Sequence, residues 1–269
     1  MNTIADYTKD FSDGNKLSYE DFVRKRCKWY NETEGDLPYI NCDICKNKGY
    51  IAELDTDLNE IRVECKCMAK RKSIKNLELS GLGNLIIKYT FNAYETSKPW
   101  QSEIKKKALL FTQNSGDSWF YAAGQSGSGK THICTAICTR FISCGRSVRY
   151  KVWRNLFHEL QSNQFDETEY KNKFKSICDT DILYIDDFLK TRNGALPTDG
   201  DINLAFEIIN ARYNNRALRT IFSGERGLNE IMELDEAMGS RIYQRCGKYK
   251  LKIGKGEGRN YRTREELEV

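Results

Sequence analysis

The feature that most constrains this chain is a glycine-rich segment that satisfies the pattern GxxxxGK[ST]. Its residues are Gly124, Gln125, Ser126, Gly127, Ser128, Gly129, Lys130 and Thr131. An apolar stretch, 119–123, precedes it, and an amphipathic stretch, 131–141, follows it. Glycines allow backbone conformations that direct successive N–H groups at phosphates, and a helix N-terminus attracts anions. The motif therefore predicts a strand, a phosphate-binding loop and a helix, which begin a nucleotide-binding domain.

The second half of the predicted nucleotide site is an apolar run that ends in two carboxylates, Asp186 and Asp187. Lys130 is expected to reach the β- and γ-phosphates of ATP, and Thr131 to offer its hydroxyl to Mg²⁺. We assign Asp186 to the Mg²⁺ side and Asp187 to the attacking water, which it would orient or deprotonate. Asp187 is one methylene shorter than a glutamate at this position would be, so we expect it to hold the attacking water less well. Hydrolysis should therefore be slow.

Apolar and amphipathic stretches alternate from residue 81 to the C-terminal region. Five stretches are predicted strands: 119–123, 147–152, 181–186, 220–223 and 249–253. Strands that alternate with helices form a parallel sheet covered by helices on both faces. The sequence therefore predicts an α/β domain over residues 81–269, with the boundary near residue 80 because Gly81 and Gly83 interrupt a helical stretch.

A cluster of paired cysteines precedes this domain. Cys42, Cys45, Cys65 and Cys67 flank two β-like runs, 49–54 and 60–64, which a turn separates. Four thiolates at the ends of a hairpin suit a structural Zn²⁺ site, although iron and sulfur, or no metal at all, remain alternatives. With a short helical arm before it, the cluster predicts a small module over residues 1–80.

The other cysteines and the two histidines receive lesser roles. Cys27 has no predicted partner, and five cysteines are expected to be small core residues: Cys134, Cys138, Cys144, Cys178 and Cys246. His132 and His158 stand at no metal-binding spacing, so both are expected to be structural or exposed.

Charge and hydropathy limit the location and the partners of the chain. Charged residues make up 30% of it, and no apolar run approaches the roughly 20 residues of a membrane helix. The N-terminus lacks the pattern of a secretory signal, so we expect a soluble, cytoplasmic protein with no membrane partner. Basic residues gather at 65–75 and 241–262, where either a nucleic-acid contact or a solvated face would explain them.

Read together, the cysteine hairpin and the segments SGLGNLIIKYTFNAYETSKPW, GQSGSGKTH and ILYIDDF resemble helicase loaders of the DnaC and DnaI type. These are AAA+ P-loop ATPases of the IstB-like superfamily, and the resemblance covers residues 40–253. It implies a five-stranded parallel sheet and a separate N-terminal module that binds the replicative helicase. Here the four zinc ligands would all be thiolates.

The resemblance also implies roles for residues beyond the loop. Glu225 follows the strand 220–223, where the family places a polar sensor of the γ-phosphate. The segment MELDEAMGSRIYQRC resembles the family's box that presents an arginine to a neighbouring subunit's ATP. This selects Arg241 as a residue acting in trans and leaves Arg245 at a solvated helix end. Arg259 or Arg262 is the candidate second sensor.

The function that the resemblance implies is ATP-dependent loading of a helicase in DNA replication. ATP would act as the switch, single-stranded DNA would be bound by the ATPase domain, and the chain would associate with itself through that domain. Three alternatives stay open at this point: a transposition ATPase of the IstB type, a nucleotide-bound adaptor that does not hydrolyse ATP and, last in rank, a small-molecule kinase.

Overall fold

The computed structural model describes residues 18–79, 83–163, 165–256 and 259–262. The chain forms two compact units, Met1–Arg71 and Lys72–Val269. Within the described residues, no helix has both the length and the apolar composition needed to cross a membrane.

The first unit is a helix and a hairpin. Its elements are α1 (Tyr19–Glu32), β1 (Tyr50–Leu54) and β2 (Glu60–Glu64), and the two strands pair antiparallel. Both predicted strands of the hairpin are confirmed. Val23 and Cys27, one helical turn apart on α1, pack with Ala52 of β1. The side chain of Asn31 fixes this arrangement, because it accepts from the N–H of Ala52 at 2.8 Å and donates to its carbonyl at 3.0 Å.

The second unit alternates helices and strands, as the sequence predicts. Its elements are α2 (Cys67–Leu79, which begins in the first unit), α3 (Gly83–Lys88), α4 (Pro99–Gln113), β3 (Phe120–Gly124), α5 (Lys130–Ser143), β4 (Val148–Val152), α6 (Trp153–Gln161), α7 (Glu167–Cys178), β5 (Ile182–Asp186), a 3₁₀ turn (Arg192–Gly194), α8 (Asp199–Tyr213), β6 (Arg219–Gly224), α9 (Leu228–Leu234), α10 (Glu236–Cys246) and β7 (Lys250–Ile253).

The boundary between the units lies earlier than the predicted one near residue 80. It falls within α2, between Arg71 and Lys72. Ser73 explains the difference, because its buried hydroxyl accepts a hydrogen bond from the N–H of Val148 at 3.0 Å. The later part of α2 therefore packs as part of the sheet unit. Residues 80–82, which include the predicted helix breaker Gly81, lie outside the described residues.

Five parallel strands form the sheet in the order β4-β5-β6-β3-β7, which confirms the predicted α/β fold. One apolar core on one face includes residues of α4 and α5, and a second core on the other face includes residues of α6, α8 and α10. Strands covered on both faces read as nearly continuous apolar runs, and every residue of β5 and β6 is buried. The carboxyl ends of these strands place the site described next.

Candidate nucleotide site and candidate metal centre

A cavity of about 850 Å³ opens beside the glycine-rich loop. Loop residues 126–131 line it together with Asp186, Asp187 and Glu225, so the structure brings most of the predicted nucleotide residues to one place. Gly124 and Gln125 stand at the start of the loop. Residues 88–89 and 93–95 form a further part of the wall.

The loop backbone has the conformation that a phosphate cradle requires. Gly127 and Gly129 have φ values of 74° and 85°, in the left-handed region that favours glycine, and α5 begins directly after Gly129. A Cβ at position 127 would come within 1.8 Å of the Asn260 side chain. The hydroxyl of Ser128 is fully buried and has no hydrogen-bond partner among the described residues. A phosphate oxygen would satisfy it, so the loop fits a nucleotide.

Lys130 is buried beneath the loop. Its Nζ donates to the carbonyls of Gly124 and Gln125, at 2.8 Å each. Burial lowers the pKa of Lys130 below its ordinary value, and the carboxylates of Glu225 and Asp187 oppose that shift. The ammonium group is thus held by two neutral carbonyls and lies in the field of nearby acids.

Asp186 is the most constrained side chain of the site. Its Oδ2 accepts from the hydroxyls of Thr131 and Tyr150, at 3.2 Å each. Its Oδ1 accepts from the N–H of Asp187 at 3.0 Å and from the hydroxyl of Ser223. The hydroxyl of Thr131 and this carboxylate form the pair of oxygen ligands that Mg²⁺ prefers. Sequence reasoning missed Tyr150 and Ser223, whose signal is a polar atom in an otherwise apolar strand.

Asp187 and Glu225 share a partner that the sequence did not predict. Asp187 follows β5 with a φ of 52°, and Glu225 follows β6. The Nζ of Lys190 lies 3.2 Å from Asp187 Oδ2 and 3.3 Å from Glu225 Oε1. Burial lowers the pKa of Lys190, but the two carboxylates outweigh this effect and raise it. A permanent positive charge therefore stands between the two candidate catalytic acids.

Aromatic side chains form another part of the cavity wall, next to the loop. His132 stacks on Tyr89 with ring centres 4.7 Å apart, and Tyr94 meets it edge-on at 5.1 Å. The Nε2 of His132 lies 3.0 Å from the carbonyl of Thr90, and burial lowers the pKa of His132. The hydroxyl of Tyr94 is buried without a partner among the described residues. His132 is thus a residue of the site wall, more than the structural or exposed histidine expected.

The segment 259–262 lies against the glycine-rich loop. The N–H of Tyr261 donates to the carbonyl of Gly127 at 3.0 Å, and Arg262 lines the cavity. Arg259 instead donates to the carbonyl of Gly254 and lies 5.5 Å from the ring centre of Trp100. Of the two candidate second sensors, Arg262 is the one at the site.

Arg241 is not among the described residues that line the cavity. Its Nη1 donates to the carbonyl of Ala237 within α10 at 2.8 Å. Its guanidinium lies 5.4 Å from the ring centre of Phe206 and 5.6 Å from that of Tyr213. The structure therefore does not bring Arg241 to the nucleotide site of its own chain.

The expectation that Arg245 lies at a solvated helix end is wrong. Arg245 is 3% exposed, and its guanidinium donates to three backbone carbonyls: Asp117, Tyr213 and Leu218. It also lies 4.8 Å from the ring centre of Trp119. A buried arginine is tolerated where its donors are satisfied in this way, so Arg245 has a structural role.

The sulfur atoms of Cys42, Cys45, Cys65 and Cys67 all lie within 4.8 Å of one another. The Cys42–Cys65 and Cys45–Cys67 sulfur separations are 3.8 and 3.5 Å. A tetrahedral Zn²⁺ with bonds of about 2.3 Å places its sulfurs roughly 3.8 Å apart. The donor set and its spacing therefore fit one Zn²⁺ held in the first unit.

Polar groups around the cysteines support negative charge there. The N–H of Gly49 donates to Cys45 Sγ at 3.3 Å. Burial raises the pKa of Cys45, but this bond and the neighbouring thiols outweigh it and bring the pKa to about 7. Arg71 is buried nearby, where it donates to the Asn47 side chain and to the backbone carbonyl of Ile40. Sequence reasoning did not identify Arg71.

The remaining cysteines follow the prediction with one exception. Four of the five expected core cysteines are buried: Cys134, Cys138, Cys178 and Cys246. Cys144 is exposed, because it ends α5 and stands at the C-cap, beyond the buried face of the helix. Cys27, which had no predicted partner, packs in the core of the first unit.

Sequence comparisons found a matching family model and related proteins. The family model of IstB-like ATP-binding proteins matches residues 59–268. The phage-like element PBSX protein XkdC of Bacillus subtilis (strain 168) is 30% identical over 246 residues, which are 87% of this chain and 89% of that protein. The uncharacterized protein YqaM of the same strain is 30% identical over 203 residues, 69% of this chain and 61% of that one.

Solved structures share the fold at low sequence identity. A structure of DnaI has a TM-score of 0.52 at 18% identity and covers 65% of this chain and 93% of its own. The DnaC helicase loader has a TM-score of 0.52 at 18% identity, covering 64% and 99%. The replication initiator DnaA, bound to AMPPCP and single-stranded DNA, has a TM-score of 0.53 at 18% identity, covering 67% and 55%. These likenesses concern the fold alone.

Proposed function

The chain belongs to the family of IstB-like ATP-binding proteins, and on this premise we propose that it hydrolyses ATP to load a replicative helicase onto single-stranded DNA. The position of Asp186 is the observation that supports ATP hydrolysis. Its carboxylate meets the hydroxyl of Thr131 at 3.2 Å, and Asp187 stands next to it in the same cavity. A site for binding alone needs the first pair, whereas hydrolysis also needs the second carboxylate.

The roles of the chain's own groups follow from this arrangement. Backbone N–H groups of the glycine-rich loop and the ammonium of Lys130 would bind the phosphates. Thr131 and Asp186 would hold Mg²⁺, which supplies neutralisation of charge on the phosphates. Asp187 would orient the attacking water, and its short side chain accounts for a slow basal rate.

Self-association of the chain is inferred from the position of Arg241. Arg241 is not among the described residues that line the cavity of its own chain, so it would complete catalysis only at the site of a neighbouring subunit. Helix α10 would present it once Arg241 leaves the rings of Phe206 and Tyr213. Hydrolysis would then depend on assembly.

The first unit is the proposed binding module for the helicase. Its zinc site would stabilise a hairpin whose apolar side chains Ile61 and Val63 are exposed, and Ile44, between Cys42 and Cys45, is exposed as well. The cysteine module favours a loader over a transposition ATPase of the IstB type. Similarity to a protein of a phage-like element supports a phage or prophage origin. Basic residues of the ATPase unit, including Lys248 before β7 and Lys252 within it, would contact DNA.

A nucleotide-bound adaptor is the second candidate, and one observation favours it. The ion pairs of Lys190 occupy both Asp187 and Glu225. A water-orienting carboxylate that stays paired with a lysine is a poor base, so the chain would then bind ATP with little turnover.

The test is ATP turnover by the full chain, measured alone, with single-stranded DNA, and with DNA and a replicative helicase. Lys130→Ala removes a phosphate contact, and Lys171→Ala, at an exposed ion pair on α7, is the matched control. We expect slow turnover that DNA and helicase stimulate, that Lys130→Ala abolishes and that Lys171→Ala leaves unchanged. Binding of ATP without turnover in all three conditions would support the adaptor and overturn the ATPase.

A further inference from the structure

The acidic end of the nucleotide cavity presents an electrostatic problem. Three carboxylates, those of Asp186, Asp187 and Glu225, stand where a γ-phosphate would approach. Asp186 is occupied by four donors, as described above. Glu225 stands at the position of a phosphate sensor, but an ionised carboxylate only accepts hydrogen bonds and repels phosphate oxygens. Glu225 alone therefore cannot detect the γ-phosphate.

Lys190 supplies the missing donor. It lines the same cavity, and its ammonium is 3.3 Å from Glu225 Oε1 and 3.2 Å from Asp187 Oδ2. Its side chain is 39% exposed, so its three N–H donors are not all enclosed by these two partners. A phosphate oxygen that enters the cavity would find a positive donor held between the acids.

The backbone holds Lys190 in this place. The N–H of Lys190 donates to the carbonyl of Asp187 at 3.0 Å and closes a tight turn in which Asp187 and Leu189 both have φ values of 52°. The N–H of Phe188 donates to the carbonyl of Ser223 at 2.9 Å, which fastens the turn to the end of β6. Phe188 and Leu189 are 1% and 0% exposed. The buried pair anchors the turn and directs the lysine to the cavity.

We propose that Lys190 reads the γ-phosphate in cis, with Glu225 as the positioning residue that holds it. Lys190 and Glu225 would then do together what a single polar sensor does elsewhere. The inference rests on the proposed ATP-dependent function and extends it, because it assigns discrimination between ATP and ADP to a named cation.

A simpler role for Lys190 is neutralisation of the two acids. Its removal would then leave Asp187 and Glu225 to repel the γ-phosphate, and removing the charge of Glu225 as well would restore most of the ATP affinity. A direct contact between Lys190 and the γ-phosphate stays lost in that double variant. The ATP preference of the Lys190→Met, Glu225→Ala double variant therefore separates the two roles.

The experiment measures the affinities of the full chain for ATP and for ADP by calorimetry, under conditions in which ATP is not turned over. It compares wild type with Lys190→Met. Methionine keeps the apolar stem and removes the charge, and Lys190→Arg restores a positive donor. A lost charge-assisted hydrogen bond is worth about a tenfold change in affinity. We expect Lys190→Met to weaken ATP binding about tenfold and ADP binding less than about twofold, and Lys190→Arg to recover part of the ATP preference.

A second variant tests the positioning role. Glu225→Ala should lower the ATP preference less than Lys190→Met does, and it should not restore the ATP preference in the Lys190→Met background, since Lys190 makes the contact with the phosphate. Lys171→Ala is again the control, and thermal unfolding without nucleotide checks folding. Equal losses for ATP and ADP, no loss, or recovery of the ATP preference in the double variant overturn the inference. If wild-type protein itself shows no ATP turnover, the failure belongs to the proposed function and not to Lys190.

Discussion

Ser223→Ala tests the support of the Mg²⁺-side carboxylate. Ser223 is fully buried, donates to Asp186 Oδ1 and lies 2.9 Å from the hydroxyl of Tyr184, which then donates to Ser223. Alanine removes a charge-assisted bond and takes from the buried Tyr184 hydroxyl its oxygen partner, so that, among the described residues, only the weakly accepting thiol of Cys134 remains. A poorly satisfied buried group costs up to about 1–3 kcal/mol, and a hydrogen bond to a charge contributes about 1.5–3 kcal/mol. The free energy of unfolding should therefore fall by about 3 kcal/mol.

Tyr184→Phe is the matched control, because it removes the other hydroxyl and leaves the bond between Ser223 and Asp186 intact. It should cost about 1 kcal/mol. The double variant should cost less than the sum of the two, since no orphaned hydroxyl remains. Urea denaturation followed by circular dichroism measures all three.

The same variants separate stability from activity. A metal-side carboxylate that loses a supporting hydrogen bond typically loses about tenfold or more in metal affinity or activity. Ser223→Ala should therefore raise the Mg²⁺ concentration needed for ATP turnover, and Tyr184→Phe should not. Equal destabilisation by the two variants, additive costs in the double variant, or an unchanged Mg²⁺ requirement would refute this account of Asp186.

Three further predictions concern other parts of the chain. Treatment with a chelator should release about one Zn²⁺ per chain. It should also make residues 19–64 sensitive to protease while β3–β7 stay folded, and Cys45→Ser should cause the same sensitivity. Metal-free protein with an intact hairpin would contradict the zinc site. Burial lowers the pKa of His132 in the folded chain, so unfolded chains bind more protons as pH falls below about 6.5, and stability should decline there. His132→Gln should flatten this slope, and an unchanged slope would contradict the assignment. Arg241→Ala should leave the midpoint of thermal unfolding nearly unchanged but remove the dependence of ATP turnover on protein concentration. Arg245→Ala, at a buried arginine, should lower that midpoint. The reverse pattern would exclude Arg241 as the residue acting in trans.

Local sequence signals predicted the fold well, because each strand of this sheet is its own apolar run. The five predicted strands match the observed ones to within one residue at each end, and the glycine-rich loop lies where its pattern placed it. The paired cysteines likewise meet around one point, because the hairpin that joins them is short.

What the sequence could not supply depends on strand order and on turns. Tyr150, Asp186 and Ser223 are far apart in the chain and meet because β4, β5 and β6 are neighbours in the sheet. Lys190 reaches Asp187 through a turn with left-handed residues, which no glycine marks in the sequence.

The helical spacing of Arg245 indicates a buried position, although its charge favours an exposed one. It shares the buried face of α10 with Met238 and Ile242, at the spacing of one helix face. An arginine at such a position indicates burial against backbone carbonyls as readily as a solvated helix end. Periodicity would have been the better guide here.

If ATP hydrolysis by this chain places a helicase on DNA, the chain should act on circular single-stranded DNA, which offers no free end for threading. The measurement is the amount of replicative helicase retained on that DNA with the full chain and ATP, for wild type and for Lys130→Ala. Wild type should increase the amount of helicase retained, and Lys130→Ala should not. Equal retention with both proteins, while wild type still hydrolyses ATP, would contradict a loading function.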